Sequence, residues 1–406
     1  MNRSRPFSKK RNNNSNSTSS KPKHRGPQKD RRKSGRKKSD LDPQLLVNKA
    51  NFTEIQEYVS TRTFEDLPIH KSLKAALSQK GFERPTEIQD KSLESLLDGR
   101  DILGIAQTGT GKTGAFLIPI IQKLIHHPQR SYALVLVPTR ELATQVEDEF
   151  KSMSKGLGLN SSCFIGGTNI NTDLRVAKQQ TNILIATPGR LLDLVNRKAV
   201  DLRFFHTLVL DEFDRMLDMG FVHDVRKIVH SMSKRKHNML FSATLDNKQK
   251  KIIEEILENP VTVKVSTGQS TNDNIDQDII RLKPGEDKFA ILLNMLENPD
   301  LEKVLIFEET KHRASRLCEK LIKKGIPSDQ IHGNKSQNAR QRALDAFKQG
   351  KIRCLVATDV AARGIDVSDI SHVINFEVPQ TFDSYIHRIG RTGRAGKVGK
   401  AFTFVD

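Results

Sequence analysis

Cysteine is scarce in this chain of 406 residues: Cys163, Cys318 and Cys354 stand far apart, with no CxxC spacing and no clustered histidines. That excludes a disulfide framework, gives no zinc-ligand pattern, and points to a reducing, cytosol-like compartment. Long apolar runs are missing as well. The richest stretch, Ala115 to Ile125, is interrupted by Pro119, Gln122 and Lys123, so no segment approaches the roughly 18 apolar residues of a membrane span. The start is basic, but it leads into Asn and Ser rather than an apolar segment, and an ordinary secretory signal is not expected. Negative charge is nearly absent from the first 40 positions. There Asp30 and Asp40 face fifteen Lys or Arg, a net of +13 out of +19 for the whole chain. With so few apolar residues, this tail cannot offset its ordering entropy and is expected to be disordered.

What remains suits a globular protein. A hydrophobic content of 36% is enough for buried cores, and the length suggests two domains at about 150 residues each. From Phe64 onward, short β-rich runs alternate with helical stretches: Ile102 to Ala106, Ala133 to Val137, Ile183 to Ala186, Leu208 to Leu210, Met239 to Phe241 and Val261 to Val265. Such alternation predicts a parallel sheet covered on both faces, with ligands at the carboxyl ends of its strands. Ser266 to Asn274, rich in Ser, Thr, Asn and Gly, reads as a flexible connector. A second series follows at Val304 to Phe307, Cys354 to Ala357, Val373 to Phe376 and Ala401 to Val405. The expected organisation is a tail over 1–45, a first α/β domain over 46–266, a linker over 267–275 and a second α/β domain over 276–406.

The sharpest local signal follows the strand at Ile102. In Ala106-Gln107-Thr108-Gly109-Thr110-Gly111-Lys112-Thr113, small residues let backbone N–H groups curl around an anion at a helix N-terminus. Lys112 can reach the outer phosphates, and the Thr113 hydroxyl suits Mg²⁺. Ala106 stands where the strict pattern has Gly. A strand ending in Asp211-Glu212 supplies the carboxylates such a loop needs: Asp211 to hold the metal through water, Glu212 to orient or deprotonate the attacking water.

With these residues and those that follow in order, the chain from Phe64 to Asp406 resembles the DEAD-box RNA helicases, enzymes of two tandem RecA-like domains that use ATP. Phe64 and Gly81-Phe82-Glu83-Arg84-Pro85-Thr86-Glu87-Ile88-Gln89 resemble the Q motif and its upstream aromatic. The resemblance implies that Gln89 reads the adenine edge and Phe64 stacks on the base, with Gln107, Thr108, Gly109, Thr110 and Gly111 joining Lys112 and Thr113 around the nucleotide. Pro138 to Ala143, Gly166-Gly167 and Thr187 to Arg190 are similar to the RNA-binding motifs of the first domain. They imply backbone contacts from Thr139, Arg140, Gly167, Thr187 and Arg190 that read no bases. Ser242-Ala243-Thr244 is similar to the motif that couples nucleotide state to RNA, with hydroxyls able to bond Asp214.

In the second domain, Val304 to Thr310 is similar to motif IV, and Gln337 with Arg340 to the QxxR region. Thr358-Asp359 through Asp366 is similar to motif V. This implies Arg340, Thr358 and Gly364 near RNA and Asp359 near ribose. His387-Arg388-Ile389-Gly390-Arg391-Thr392-Gly393-Arg394 implies His387, Arg391 and Arg394 in catalysis, the two arginines as fingers on the γ-phosphate held by the other domain. The stretch Met216 to Phe221 is similar to bacterial RhlE-type members. Two departures stand out. Phe213 takes the place of the family's Ala in Asp211-Glu212-Phe213-Asp214, which raises the question of how its ring packs near the Ser242 turn. Glu87 replaces a frequent proline of the Q motif.

The resemblance implies ATP and Mg²⁺ as cofactors and sequence-nonspecific RNA as partner, with ribosomal precursors or ribonucleoprotein particles as candidate substrates. It implies a cytoplasmic monomer without a membrane, and local unwinding of short duplexes by ATP-driven domain closure. An ATP-gated RNA clamp that unwinds poorly and a DNA-directed motor stay open at this point. Strand displacement separates the first from a helicase, and RNA-versus-DNA competition the second. The tail would tether RNA in a salt-sensitive way.

Overall fold

The computed structural model describes residues 41–50, 58–107, 109–127, 133–265, 274–362, 367, 369–393 and 398–405. The tail up to residue 40, the connector over 266–273, and the site candidates Thr108, Gly364 and Arg394 lie outside these residues.

Seven strands build the first sheet: β1 (Ile102–Ile105), β2 (Ala133–Leu136), β3 (Ser161–Phe164), β4 (Ile183–Ala186), β5 (Thr207–Leu210), β6 (His237–Ser242) and β7 (Val261–Lys264). Their order is β3-β4-β2-β5-β6-β1-β7, with every neighbouring pair parallel. Alternate residues of one strand enter different cores. Ala133 and Val135 join the cluster on one face, while Leu134 and Leu136 join the cluster on the other. That period of two is why the inner strands read as unbroken apolar runs: both faces are covered by helices. Helix Lys112–His126, apolar on nearly all sides, fills one of these layers and carries Pro119 inside it.

The second sheet repeats the plan with β8 (Ile275–Arg281), β9 (Val304–Phe307), β10 (Ser328–Ile331), β11 (Cys354–Ala357), β12 (His372–Asn375) and β13 (Gly399–Val405). Its order is β10-β11-β9-β12-β13-β8, again all parallel. The expected pair of RecA-like parallel-sheet domains is therefore present. Among the described residues no helix is long and apolar enough to cross a membrane.

One domain boundary needs correcting. Residue 46 was assigned to the first domain, yet Leu46 is fully buried in the apolar cluster of the second lobe, and Asn48 forms an antiparallel bridge to Gln277 of β8. The physical reason is that β8 is an edge strand with unpaired backbone groups, and Leu46 is an apolar side chain in reach of the core beside it.

The second lobe also contains a pH-sensitive carboxyl. Glu308, just after β9, is 4% exposed; burial, and then the nearby Glu377, push its pKa up to about 7, against the pull of Arg313 and Lys288. The unfolded chain releases this proton near 4.5, the ordinary value for a glutamate. Between there and about 7 the folded state holds more protons, so the stability contributed by Glu308 falls as pH rises through that window. Glu308→Gln is expected to stabilise the protein by about 2 kcal/mol at pH 8 and hardly at all at pH 4. Urea denaturation at the two pH values checks this, and an equal effect at both would refute it.

Candidate nucleotide site and nucleic-acid cleft

The phosphate loop turns at the carboxyl end of β1, beside the ends of β5 and β6 where Asp211 and Ser242 stand. Gly109 (φ 87°) and Gly111 (φ 92°) adopt the left-handed conformation that the tight curl requires. A Cβ at Gly111 would also lie 2.6 Å from the Thr86 hydroxyl and 2.8 Å from the Gln89 amide nitrogen. Lys112 is buried and donates to the carbonyl of Ala106 (2.8 Å), and the Thr110 hydroxyl donates to the carbonyl of Gln107 (2.8 Å). Thr113, on the first turn of the helix, keeps partial exposure.

Gln89 joins the second helix to this loop. Its Oε1 accepts from the Thr86 backbone N–H (3.0 Å), closing a capping box, and its Nε2 donates to the Gly111 carbonyl (2.9 Å). An amide keeps one further donor and acceptor direction, so these contacts leave capacity for a base edge. Phe64 is placed differently from the expectation. At 2% exposure it sits in the apolar cluster of the first lobe, 5.9 Å from the ring of Phe82, and offers no free face for stacking. Phe82 is the partly exposed ring here, within 3.6 Å of a Cβ built on Gly114.

Asp211 is buried beside Glu212 and Asp214. Burial, and secondarily these two carboxylates, push its pKa up to about 6 against the opposing pull of Lys112. Glu212 is also buried and, unusually for a residue other than glycine, takes φ 52° in the left-handed region. Its Oε2 accepts from Nη1 of Arg215 at 2.8 Å, a buried pair that sequence reading missed because Arg215 reads as an ordinary helix residue. Phe213 is fully buried in the apolar cluster containing Leu210, Met216 and Leu240, so the larger ring is accommodated by the core. Asp214 keeps its contacts to the following turn: Oδ2 accepts from the N–H groups of Ala243 and Thr244 (both 3.1 Å) and the Thr244 hydroxyl (3.3 Å). Ser242 corrects the expectation, since its hydroxyl donates to the Thr244 carbonyl (2.7 Å) rather than to Asp214.

On the other side of the sheet centre, the ends of β2 and β4 frame a cleft of about 450 Å³ lined by Thr139, Arg140, Glu141, Gly166, Thr187 and Arg190 from the first lobe and by Gly333 and Arg340 from the second. Thr139 caps its helix by accepting from Leu142 N–H (3.3 Å), and the Thr187 hydroxyl accepts from Gly166 N–H (3.4 Å). The Arg140 guanidinium lies against Gly166 and Gly167; any side chain at Gly167 (φ 82°) would collide with it. Burial, then repulsion from Arg340, holds its pKa below the usual guanidinium value. Arg190 is engaged by Asp173 (2.6 Å) and by the Thr168 carbonyl (2.9 Å). The lobes meet where Arg340 Nη2 contacts Glu141 Oε1 (3.0 Å) and Gln337 Nε2 donates to the same oxygen (3.2 Å). Arg340 Nε and Gln337 Oε1 are buried there without hydrogen-bond partners among the described residues.

In the second lobe Asp359 is clamped by Arg388 through Nε (2.5 Å) and Nη2 (2.8 Å), and Arg388 also donates to Asn375 Oδ1 (3.2 Å) and the Glu377 carbonyl (2.7 Å). Arg388, one residue of the His387–Arg394 motif, organises this corner. His387 and Arg391 line the same small recess, with Arg391 Nε donating to the His387 carbonyl (3.3 Å). Thr358 directly follows β11, its carbonyl accepting from the N–H groups of Ala361 and Ala362.

Residues 86–268 match the DEAD/DEAH box helicase model and residues 287–396 the helicase conserved C-terminal domain. The chain is 42% identical over 345 residues to the DEAD-box ATP-dependent RNA helicase CshA of Bacillus licheniformis, covering 85% of this chain and 71% of the relative. This chain belongs to the DEAD-box ATP-dependent RNA helicases. CshA of Bacillus subtilis is equally similar, at 42% identity over 85% of the helicase described here and 70% of its own length. Both relatives carry the CshA name rather than RhlE. Among solved structures, the helicase is similar to Mss116 bound to ssRNA and UDP-BeF (TM-score 0.75, 34% identity, 85% of this chain and 76% of that one). It is similar also to S. cerevisiae Dbp5 bound to RNA and ADP BeF3 (TM-score 0.74, 31% identity, 85% and 90%).

Proposed function

We propose that this DEAD-box helicase is an RNA-stimulated ATPase that separates short RNA duplexes locally, its lobes closing on ATP and on one RNA strand together. The observation that carries the reading is the cleft at Glu141 and Arg340, lined from both lobes, where the buried Arg340 Nε has no hydrogen-bond partner among the described residues. A phosphate oxygen is a natural acceptor for that donor, and the surrounding loop N–H groups and hydroxyls hold a backbone without reading bases. RNA bound there bridges the lobes and favours the closed arrangement in proportion to its preference for it.

On the nucleotide side, Lys112 leaves the Ala106 carbonyl to meet the outer phosphates, with N–H groups of Gln107, Gly109, Thr110 and Gly111 around them. Mg²⁺ fits the residues present: the Thr113 hydroxyl and the Asp211 carboxylate are hard oxygen donors, and phosphates complete such a shell without a protein cage. Asp211, Glu212 and Asp214 are buried side by side, a gathering of carboxylates that a cation would offset. Bound there, Mg²⁺ supplies charge neutralisation on the phosphates. Glu212 orients or deprotonates the attacking water, Gln89 holds the adenine edge, Asp359 the ribose, and Arg391, with Arg394, neutralises charge growing on the γ-phosphate. Asp214, Ser242 and Thr244 form the turn that relays nucleotide state. The scarcity of cysteine supports a cytoplasmic setting. Substrates in this reading are short helices in ribosomal precursors or other ribonucleoprotein particles, acted on by a single copy of the chain.

Steady-state ATP hydrolysis with no polynucleotide, with RNA and with DNA tests the proposal, alongside displacement of a short labelled RNA strand. RNA is expected to stimulate turnover, DNA to fail as a competitor, and displacement to require ATP. Hydrolysis indifferent to RNA, or driven equally by DNA, would overturn it.

A further inference from the structure

Glu212 aims its carboxylate from a constrained place. It stands at the bend where β5 gives way to helix Phe213–Asp218, at φ 52°, in the left-handed region that costs a residue other than glycine. The main chain there is well held. Glu212 N–H donates to Asp211 Oδ1 (2.9 Å), its carbonyl accepts from Met216 N–H (3.1 Å), and Asp214 Oδ2 fastens the start of the helix to the N–H groups of Ala243 and Thr244 (both 3.1 Å). None of these contacts orients the Glu212 carboxylate. Among the described residues one group does: Arg215, whose Nη1 donates to Oε2 at 2.8 Å.

The clamp is confined on both sides. Three positions apart on one helical face, the Arg215 and Glu212 side chains are 7% and 6% exposed, so neither turns away without leaving the other's charge buried and unpaired. Arg215 is itself fixed through its N–H on Asp214 Oδ1 (3.0 Å) and its carbonyl, which accepts from Met219 N–H (3.0 Å). The second oxygen of Glu212 is placed differently. Oε1 accepts from none of the described residues, yet the only polar side-chain atoms buried among them without a partner are Asn238 Oδ1, Gln337 Oε1 and Arg340 Nε. Oε1 therefore keeps contact with solvent while Oε2 is held.

We propose that Arg215 is a positioning residue for hydrolysis: by holding Oε2 it leaves Oε1 as the oxygen that meets the water attacking the γ-phosphate. The inference rests on the role given to Glu212 in the reading above. A guanidinium suits the task, since it is planar, always charged and pre-organised to bond a carboxylate oxygen in one direction. Aim matters here. A misplacement of about 1 Å at a reacting group lowers a rate on the order of 100-fold, and the bend at Glu212 leaves the side chain no other described partner to fix it.

The test is a double-mutant cycle in the full chain, read by single-turnover ATP hydrolysis with saturating RNA. Arg215→Met keeps an unbranched buried stem and removes every side-chain donor. It is expected to lower the chemical step about 10- to 100-fold, with ATP and RNA affinities within about twofold of the parent protein. In the Glu212→Gln background the same change is expected to lower the rate by less than about twofold, because a residue that acts through the carboxylate has nothing left to position. Arg215→Lys, which restores a charged donor, is expected to recover part of the rate. Breaking a buried ion pair also lowers stability, so melting temperature is followed and rates are taken per folded molecule. Arg215→Gln, a shorter neutral side chain, goes through the same cycle in case the methionine protein does not fold. A merely structural role predicts a lower melting temperature with the rate per folded molecule preserved; that result overturns the proposal, as does an equal loss in both backgrounds. Should Glu212→Gln itself turn over at the parental rate, the role of Glu212 falls and the clamp with it. A slow Glu212→Gln beside a parental Arg215→Met removes the clamp alone.

Discussion

Glu212→Gln is expected to lower RNA-stimulated ATP turnover by about 10²- to 10⁴-fold while leaving ATP and RNA binding in place. The substitution changes one atom and keeps an amide oxygen that can still accept from Arg215, so the buried contact at 2.8 Å is weakened rather than lost. What disappears is the group able to take a proton from water or to fix its lone pair. The backbone supports this assignment independently. A glutamate at φ 52° carries local strain that is retained where the surroundings over-determine it, and here the carboxylate of Asp211 accepts from the Glu212 N–H (2.9 Å) while Asp214 anchors the next turn. Rapid-quench hydrolysis, with RNA binding in a nonhydrolysable analogue as control, separates chemistry from binding. A rate within a few-fold of the parent protein would remove Glu212 from the chemistry and shift attention to Asp211.

The parts of the molecule that sequence reading located share a physical reason for being legible, and so do the parts it missed. Inner strands such as β2, β4 and β5 are buried on both faces, which forces continuous apolar runs. The strands that escaped notice, β3, β8 and β10, are all at sheet edges, where one side meets solvent and Ser161, Asp276 or Asp329 is tolerated. The phosphate loop was readable because glycines that shape its backbone and the lysine and threonine whose side chains serve it are contiguous in sequence. The charged pairs that organise the site are not contiguous. Arg388 meets Asp359 across 29 positions, Arg190 meets Asp173 across 17, and Glu141 meets Arg340 only when the lobes come together. Phe64 shows the converse: its place in a motif suggested an exposed stacking surface, while packing against the first-lobe core encloses it. Leu46 was unassignable for a related reason, since a short apolar run, Leu45-Leu46-Val47, says nothing about which lobe will bury it.

Arg391→Lys is expected to reduce the RNA-stimulated rate by about 10³-fold, the larger part of what a positioned guanidinium supplies in phosphoryl transfer. Lysine keeps the charge and most of the length, so a simple electrostatic role would survive the change; the planar fork that can meet two phosphate oxygens at once would not. The residue stands in the turn after helix Phe382–Ile389, almost wholly buried in the second lobe and tied to the His387 carbonyl at 3.3 Å. This placement makes its action conditional. In the proposed reading the phosphates lie against Lys112 in the other lobe, so Arg391 would contribute only when closure carries it there. A merely structural role predicts a different outcome: lower thermal stability and a loss of RNA binding in step with activity. Measuring single-turnover hydrolysis, melting temperature and RNA affinity on the same variant tells these apart. Intact folding and RNA affinity with a collapsed chemical step place Arg391 at the phosphate, whereas a rate within tenfold of the parent enzyme would leave the catalytic centre in the first lobe alone.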